Sequence, residues 1–350
     1  MAGTITINKQ TVGPGFPVYI IAELSANHNQ DFDEARRLVH AAKEAGADAV
    51  KLQTYTPDTL TINCDNEYFR IGKGTIWEGK NLYSLYSEAY TPWDWQPELK
   101  QIANNRGMDL FSTPFDPSSV DFLETMDVPA YKIASFEIAD IPLIHKIAMT
   151  GKPIILSTGM ATLSEIDEAV QTIRDAGNDQ IALLKCTSAY PARPDEMDLR
   201  TIPHLAEAFD VPAGLSDHTL GDAVSIASVA LGACIIEKHF TLTRSRPGPD
   251  SAFSLEPQEF KTMVESVRET EAALGKVNYH IKEHEKATRV LRKSLFVVKD
   301  MEEGEFFSPE NIRTIRPSYG LPPKFLSTVL GRKARQKLVR GTPLRWDHIA

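Results

Sequence analysis

The 350-residue chain has 42% hydrophobic and 24% charged residues, ordinary usage for a folded protein, which argues against disorder and against a fibrous repeat. Its formal charge of -9 and pI near 5.6 disfavour nonspecific binding to nucleic acid or an anionic membrane, so an anionic substrate would need a local cluster of cations. Cys64, Cys186 and Cys234 have no metal-type spacing and suit a reducing compartment. The start, MAGTITINKQTVGPG, has no cationic segment leading into an apolar one, and no apolar run is long enough to cross a bilayer, so the cytoplasm is expected.

From Val18 onward a short apolar run, a polar stretch and about a dozen residues at helical spacing recur. The expected strands are VYIIAE ending at Glu23, DAVKLQ ending at Gln53, MDLFS before Thr113, AYKIA before Ser135, PIILS ending at Ser157, IALLKC before Thr187, VPAGLS ending at Ser216, and ACIIEK before His239. Helices are expected over 32–45, 93–106, 118–125, 141–149, 163–176, 199–209, 222–231 and 257–274. Eight such pairs in about 260 residues predict a (β/α)8 TIM barrel over residues 1–275, with a doubly wound open sheet as the alternative. A charged stretch, 276–291, reads as a linker, and 292–350, with short strand-like runs and Gly and Pro turns, as a small separate domain. At that size it would be marginal alone and would need to dock against a barrel.

In a TIM barrel the active site lies at the carboxyl-terminal mouth, so the polar residues closing the apolar runs are the candidate site. They include Glu23, Lys51, Gln53, Thr113, Lys132, Ser135, Ser157, Lys185, Thr187, Ser216, His218, Glu237 and His239. A lysine inside an apolar run needs an anionic partner to stay charged, although any one of Lys51, Lys132 and Lys185 could instead pair with a carboxylate. Three lysines among hydroxyls at one mouth suggest a phosphate or carboxylate pocket. His218 and His239 follow two successive strands of one βαβ unit, which sets them side by side, where they could share a metal ion. Either histidine alone is more often a packing residue or a helix cap. The long insertion 56–92 should lie over the mouth and shape the substrate site, with most of its aromatic residues packing the core.

The combination IIAELSANH, AGADAVKLQTYTPD, FSTPFD, YKIASFE, ILSTGMAT, LKCTSAYP, GLSDHT, EKHFTL and GEFFSPENIRTIRPSYGL resembles the sialic acid synthase family, whose members condense phosphoenolpyruvate (PEP) with an amino sugar. GTIWEGKNLYSLYSEAYTPWDW, CTSAYP and RPSYGLPPKF resemble its pseudaminic acid branch, which implies a diacetamido-trideoxy-altrose as the sugar. The C-terminal segment resembles the antifreeze-like (SAF) domain, which implies a domain-swapped homodimer in which Arg316 reaches the sugar bound by the partner subunit. The resemblance further implies that His218 and His239 hold a divalent metal ion, Mn2+ in the family, with Mg2+ or Co2+ as alternatives. Lys51, Thr113, Lys132, Ser135, Ser157, Ser188 and Ser216 match the PEP-contacting positions, Ser188 standing where some relatives have Asn. Glu23 is the candidate for proton handling. Gln30 stands where the family commonly has Gly, a residue that allows φ > 0. Rival readings are a neuraminate or legionaminate synthase, a metal-dependent pyruvate aldolase and an inert carbohydrate-binding homologue.

Overall fold

The computed structural model describes residues 3–350, and they form two compact units that divide after Gly275. The first unit begins with an antiparallel hairpin, β1 (Ile5–Ile7) and β2 (Gln10–Val12). Eight parallel strands follow: β3 (Tyr19–Glu23), β4 (Ala49–Thr54), β5 (Asp109–Pro114), β6 (Tyr131–Ile133), β7 (Ile154–Ser157), β8 (Ile181–Cys186), β9 (Ala213–Asp217) and β10 (Ile235–His239). They close into a barrel in the order β10-β3-β4-β5-β6-β7-β8-β9, the expected TIM architecture and not the open sheet. Each strand falls on one of the expected apolar runs, because a parallel strand covered on both faces must be apolar nearly throughout. The hairpin was not expected. Its strands are too short to show an alternation, and it packs Ile5, Ile7 and Val12 into the core at the end opposite the mouth, where Asn8 Nδ2 donates to Asp109 at 3.1 Å.

Helices follow the barrel strands close to where periodicity places them, such as Phe32–Glu44, Leu163–Asp175 and Pro257–Leu274. The pattern from Trp93 resolves into a 3-10 turn, Trp93–Trp95, running into the helix Gln96–Asn105, with Pro97 in the first turn where its missing N–H is harmless. Gln30 adopts φ 56°, the left-handed conformation that favours glycine, and its side-chain amide donates to the Tyr90 carbonyl. That bond ties the loop to Tyr90 through a side chain that a glycine would lack.

Register positions the site. Glu23 pairs with Lys51 across β3 and β4, Gln53 with Thr113 across β4 and β5, Ser216 with Glu237 across β9 and β10, and His239 with Glu23 across β10 and β3. Paired residues in a parallel sheet share a face, so these side chains converge on the barrel axis.

In the second unit β11 (Ser294–Val297) and β12 (Ile312–Ile315) pair antiparallel over a small core that includes Leu295, Val297, Met301, Phe307, Ile312 and Leu344. Residues 276–291 contain a short helix, Glu283–Lys286, and a 3-10 stretch, Ala287–Leu291. Arg316, exposed, follows β12 and precedes a cis proline. No helix among the described residues is long and apolar enough to cross a membrane.

Candidate active site

The barrel mouth opens into a cavity of about 420 Å3, lined among others by Lys51, Gln53, Lys132, Ser135, Ser157, Ser216, His218 and His239. At its floor Lys51 Nζ lies 2.8 Å from Glu23 Oε2, 3.0 Å from Glu237 Oε1 and 3.4 Å from Thr113 Oγ1, all four side chains being buried. Gln53 Nε2 and the Ser25 N–H both donate to Glu23 Oε1, at 3.3 and 3.0 Å. Burial pushes the Glu23 carboxyl up to about 7, with Lys51 opposing and Glu237 reinforcing the shift. Burial would raise Glu237 as well, but Lys132 and Lys51 outweigh it and hold Glu237 below the usual carboxylate range. Two carboxylates around one ammonium therefore differ in role: Glu237 stays anionic, and Glu23 exchanges a proton near neutrality.

Lys132 has no carboxylate within ion-pair distance. Its Nζ donates to Ser157 Oγ at 2.6 Å and to the Ile133 carbonyl at 2.8 Å, and burial brings its pKa down to about 8. Nearby, the Gly159 N–H donates to Ser135 Oγ at 3.0 Å. A Cβ on Gly159 would lie 2.3 Å from Ser188 Oγ and 2.7 Å from Ser135 Oγ. Only glycine lets those two hydroxyls and the backbone N–H converge, which makes a cradle for anionic oxygens.

His218 and His239 face one another with ring centroids 5.4 Å apart. His218 Nδ1 donates to the Thr187 carbonyl at 3.0 Å, so Nε2 is the nitrogen that can give up its proton to take a ligand. Burial opposes the charged ring, but Cys186 and the Thr187 carbonyl outweigh it and raise the His218 pKa. His239 Nδ1 is buried without a hydrogen-bond partner. Burial, reinforced by the charges of His218 and Lys51, depresses the His239 pKa well below its ordinary value and keeps the ring neutral. Cys186 Sγ lies 3.8 Å from His218 Nδ1; burial raises the thiol, but His218 outweighs it and brings it down to about 6. Tyr190 packs on His218 and Phe253 edges against His239, at 4.4 and 4.9 Å between centroids.

Of the eleven expected site residues, Lys51, Lys132, Ser135, Ser157, Ser216, His218 and His239 line the cavity, Glu23 and Thr113 contact Lys51 behind it, Ser188 stands with Ser135 beside Gly159, and Arg316 belongs to the second unit. Lys185 departs from expectation. Its neighbour Cys186 lines the cavity, so strand alternation turns Lys185 to the outer face, and the mouth holds two lysines, not three. Tyr190, Asp250 and Glu137 also line the cavity, and none of them was expected there. Asp250, buried beside Ser25, is raised by burial, and burial pushes Glu137 up to about 7. Tyr190 and Asp250 sit on loops without periodicity, whereas Glu137 lay in plain view in YKIASFE. The insertion's aromatics divide: Trp93 stacks on Phe122 and Trp95 packs on Phe32, but Trp77 and Tyr86 line the cavity with Tyr55, Leu82, Leu85 and Phe115.

Residues 38–279 match the NeuB family and residues 292–350 the SAF domain. The chain is 48% identical to the pseudaminic acid synthase of Helicobacter pylori, covering 95% of this chain and 98% of that protein. It is 38% identical to the N,N'-diacetyllegionaminic acid synthase of Legionella pneumophila, with 96% of each covered. In three dimensions it resembles the N-acetylneuraminic acid synthetase of Leptospira borgpetersenii, with a TM-score of 0.73 at 31% identity over 82% of this chain and 95% of that one. A family match over residues 38–279, together with 48% identity to a relative over 95% of the chain, makes the assignment plain: the chain belongs to the NeuB family.

Proposed function

We propose that the protein condenses PEP with a diacetamido-trideoxy-altrose in the cytoplasm, giving pseudaminic acid and inorganic phosphate. The observation that carries this reading is the two-ended cavity. Its floor carries Lys51, Lys132, Ser135, Ser157 and Ser216, with Thr113 behind Lys51 and Ser188 beside Ser135, a set suited to a small phosphate and carboxylate compound. Its outer wall is apolar, built from Tyr55, Leu82, Leu85, Tyr86 and Phe115. A 6-deoxy sugar places a methyl group where other hexoses carry a hydroxyl, and an apolar wall accepts the methyl without leaving a polar group unpaired. The name of the Helicobacter pylori relative points to the same product.

In the reaction PEP C3 forms a bond to the aldehyde carbon of the open-chain sugar, and the aldehyde oxygen takes up a proton. Glu23, poised near neutrality, is placed to hold that proton. The positive character left at C2 faces a cavity that holds anionic Glu237, and water captures C2 and gives up a proton. The C2–O bond to phosphate then breaks, leaving the keto group and inorganic phosphate. Lys132 and the serine hydroxyls orient PEP so that C3 meets the aldehyde in register.

His218 and His239 suit a divalent cation: one imidazole has Nδ1 committed to a carbonyl, so that Nε2 can exchange its proton for an ion, and the other is neutral with a buried nitrogen unpartnered. Among the described residues no group of three His, Cys, Asp or Glu side chains is placed to hold one ion, so the remaining ligand positions would fall to substrate and water. When bound, the ion, Mn2+ or alternatively Mg2+ or Co2+, supplies Lewis-acid polarisation of the aldehyde. The SAF domain and Arg316 act in trans in a domain-swapped homodimer. The test is phosphate release from PEP across a panel of acetamido sugars, with and without added Mn2+. Release with the diacetamido-trideoxy-altrose and metal supports the reading. Release with N-acetylmannosamine in its place moves the protein to the neuraminate synthases, and sugar binding with no turnover makes it an inert binding protein.

A further inference from the structure

Asp217 closes β9, and Lys238 sits in β10 between Glu237 and His239. The two are register partners, and both side chains are fully buried, at 0% exposure each. They lie on the outer face of the barrel, beneath the helix Ala223–Ala230, and line no part of the cavity. Asp217 Oδ2 accepts from Lys238 Nζ at 2.8 Å and from Ser225 Oγ at 2.7 Å. Asp217 Oδ1 accepts from the Thr219 N–H at 2.8 Å and from Thr219 Oγ1 at 2.7 Å. Lys238 Nζ also donates to the Thr219 carbonyl at 2.5 Å.

The residue enclosed by this network is His218, the only one between Asp217 and Thr219. His239 directly follows Lys238. A sealed ion pair is a poor source of net stability, because removing both charges from water offsets their attraction. Its hydrogen bonds, however, are directional, and here they tie the backbone on both sides of one histidine to the strand that carries the other.

We propose that the Asp217–Lys238 pair is a positioning clamp that sets His218 relative to His239, so that the two imidazoles form a divalent-cation site before the ion arrives. The proposal rests on the reading of the two histidines as metal ligands. Groups that orient metal ligands from behind typically change metal affinity about 10- to 100-fold when removed.

The test uses the full chain carrying Asp217→Asn with Lys238→Met, which removes both charges and keeps an acceptor for Thr219. Mn2+ affinity is measured by calorimetry, the ligand-field spectrum with Co2+, and folding by circular dichroism and thermal melting. The clamp predicts a folded protein whose Mn2+ Kd rises about tenfold or more and whose Co2+ bands shift. A folded double variant with the wild-type Kd and spectrum overturns it. Should that variant fail to fold, Ser225→Ala removes one donor to Asp217 from the neighbouring helix. A weaker Mn2+ Kd in Ser225→Ala supports the clamp, and an unchanged one overturns it. Wild-type protein that binds neither Mn2+ nor Co2+ overturns the ligand-pair reading and the clamp with it.

Discussion

Lys51 and Glu23 are register partners on adjacent strands, and their side chains meet as a buried ion pair at 2.8 Å on the barrel axis. The same ammonium serves Glu237, so one cation balances two carboxylates. Replacing it with Met leaves both carboxylates in a dry environment. Removing one partner of a buried pair costs roughly 3–5 kcal/mol, so Lys51→Met should lower stability by about 3 kcal/mol at pH 8 and abolish phosphate release. The pH dependence has a definite sign. A carboxyl whose folded pKa is raised takes up a proton on folding, so its penalty is full above the folded value, about 7 for Glu23, and fades as pH falls toward the ordinary value of 4.5. Loss of Lys51 raises the folded values further. Chemical denaturation should therefore show the deficit of Lys51→Met shrinking between pH 8 and pH 6, and a pH-independent deficit would contradict this electrostatic account.

Lys132 is the cation left unpaired for substrate. Burial brings it down to about 8, so in the free protein the ammonium is present below that pH and lost above it. The Kd for PEP should weaken about tenfold per unit above pH 8, and Lys132→Met should bind PEP weakly without that break. Titration calorimetry at several pH values measures both, and a break that survives in Lys132→Met would assign it to another group.

His218→Ala and His239→Ala should each abolish turnover while the circular dichroism spectrum stays that of the wild type, because both rings border the cavity and leave the strand ladders intact. If Arg316 acts in trans, mixing inactive His239→Ala with inactive Arg316→Ala protein should restore part of the activity through heterodimers. No recovery after demonstrated subunit exchange would count against the swap.

The apolar wall makes a prediction about choice of sugar. One added hydroxyl in an apolar pocket is rejected by a factor of about 10 to 100, so the 6-deoxy sugar should be preferred to its 6-hydroxy analogue by that order in kcat/KM. Leu82→Asn places a hydrogen-bonding group on the half-buried part of the wall and should narrow the ratio. An unchanged ratio would remove Leu82 from the specificity surface.

Much of this site was legible in the sequence because polar residues that close apolar runs are conspicuous: Lys132, Ser157, Ser216 and His239 could be read one by one. Which face each side chain takes was less legible. Lys185 and Cys186 end the same run, and only alternation within the closed barrel decides that the cysteine lines the cavity and the lysine does not. Glu237 was visible at the rim, but its bond to Lys51 spans β3, and no spacing in the sequence encodes it. Tyr190 and Asp250 come from loops whose paths depend on packing, so periodicity could not reveal them. The Asp217–Lys238 pair is hidden for a related reason. Each residue stands beside a recognisable histidine, yet their contact appears only when the register of β9 against β10 is known.

If PEP is consumed with cleavage of its C–O bond, the fate of solvent oxygen reports it most directly. Turnover with PEP and the diacetamido-trideoxy-altrose in 18O-labelled water, followed by mass spectrometry of products quenched early, should place the label on the C2 oxygen of the nine-carbon product and leave the released phosphate unlabelled. Label in the phosphate with an unlabelled C2 oxygen, or pyruvate formed in place of the condensed product, would contradict it.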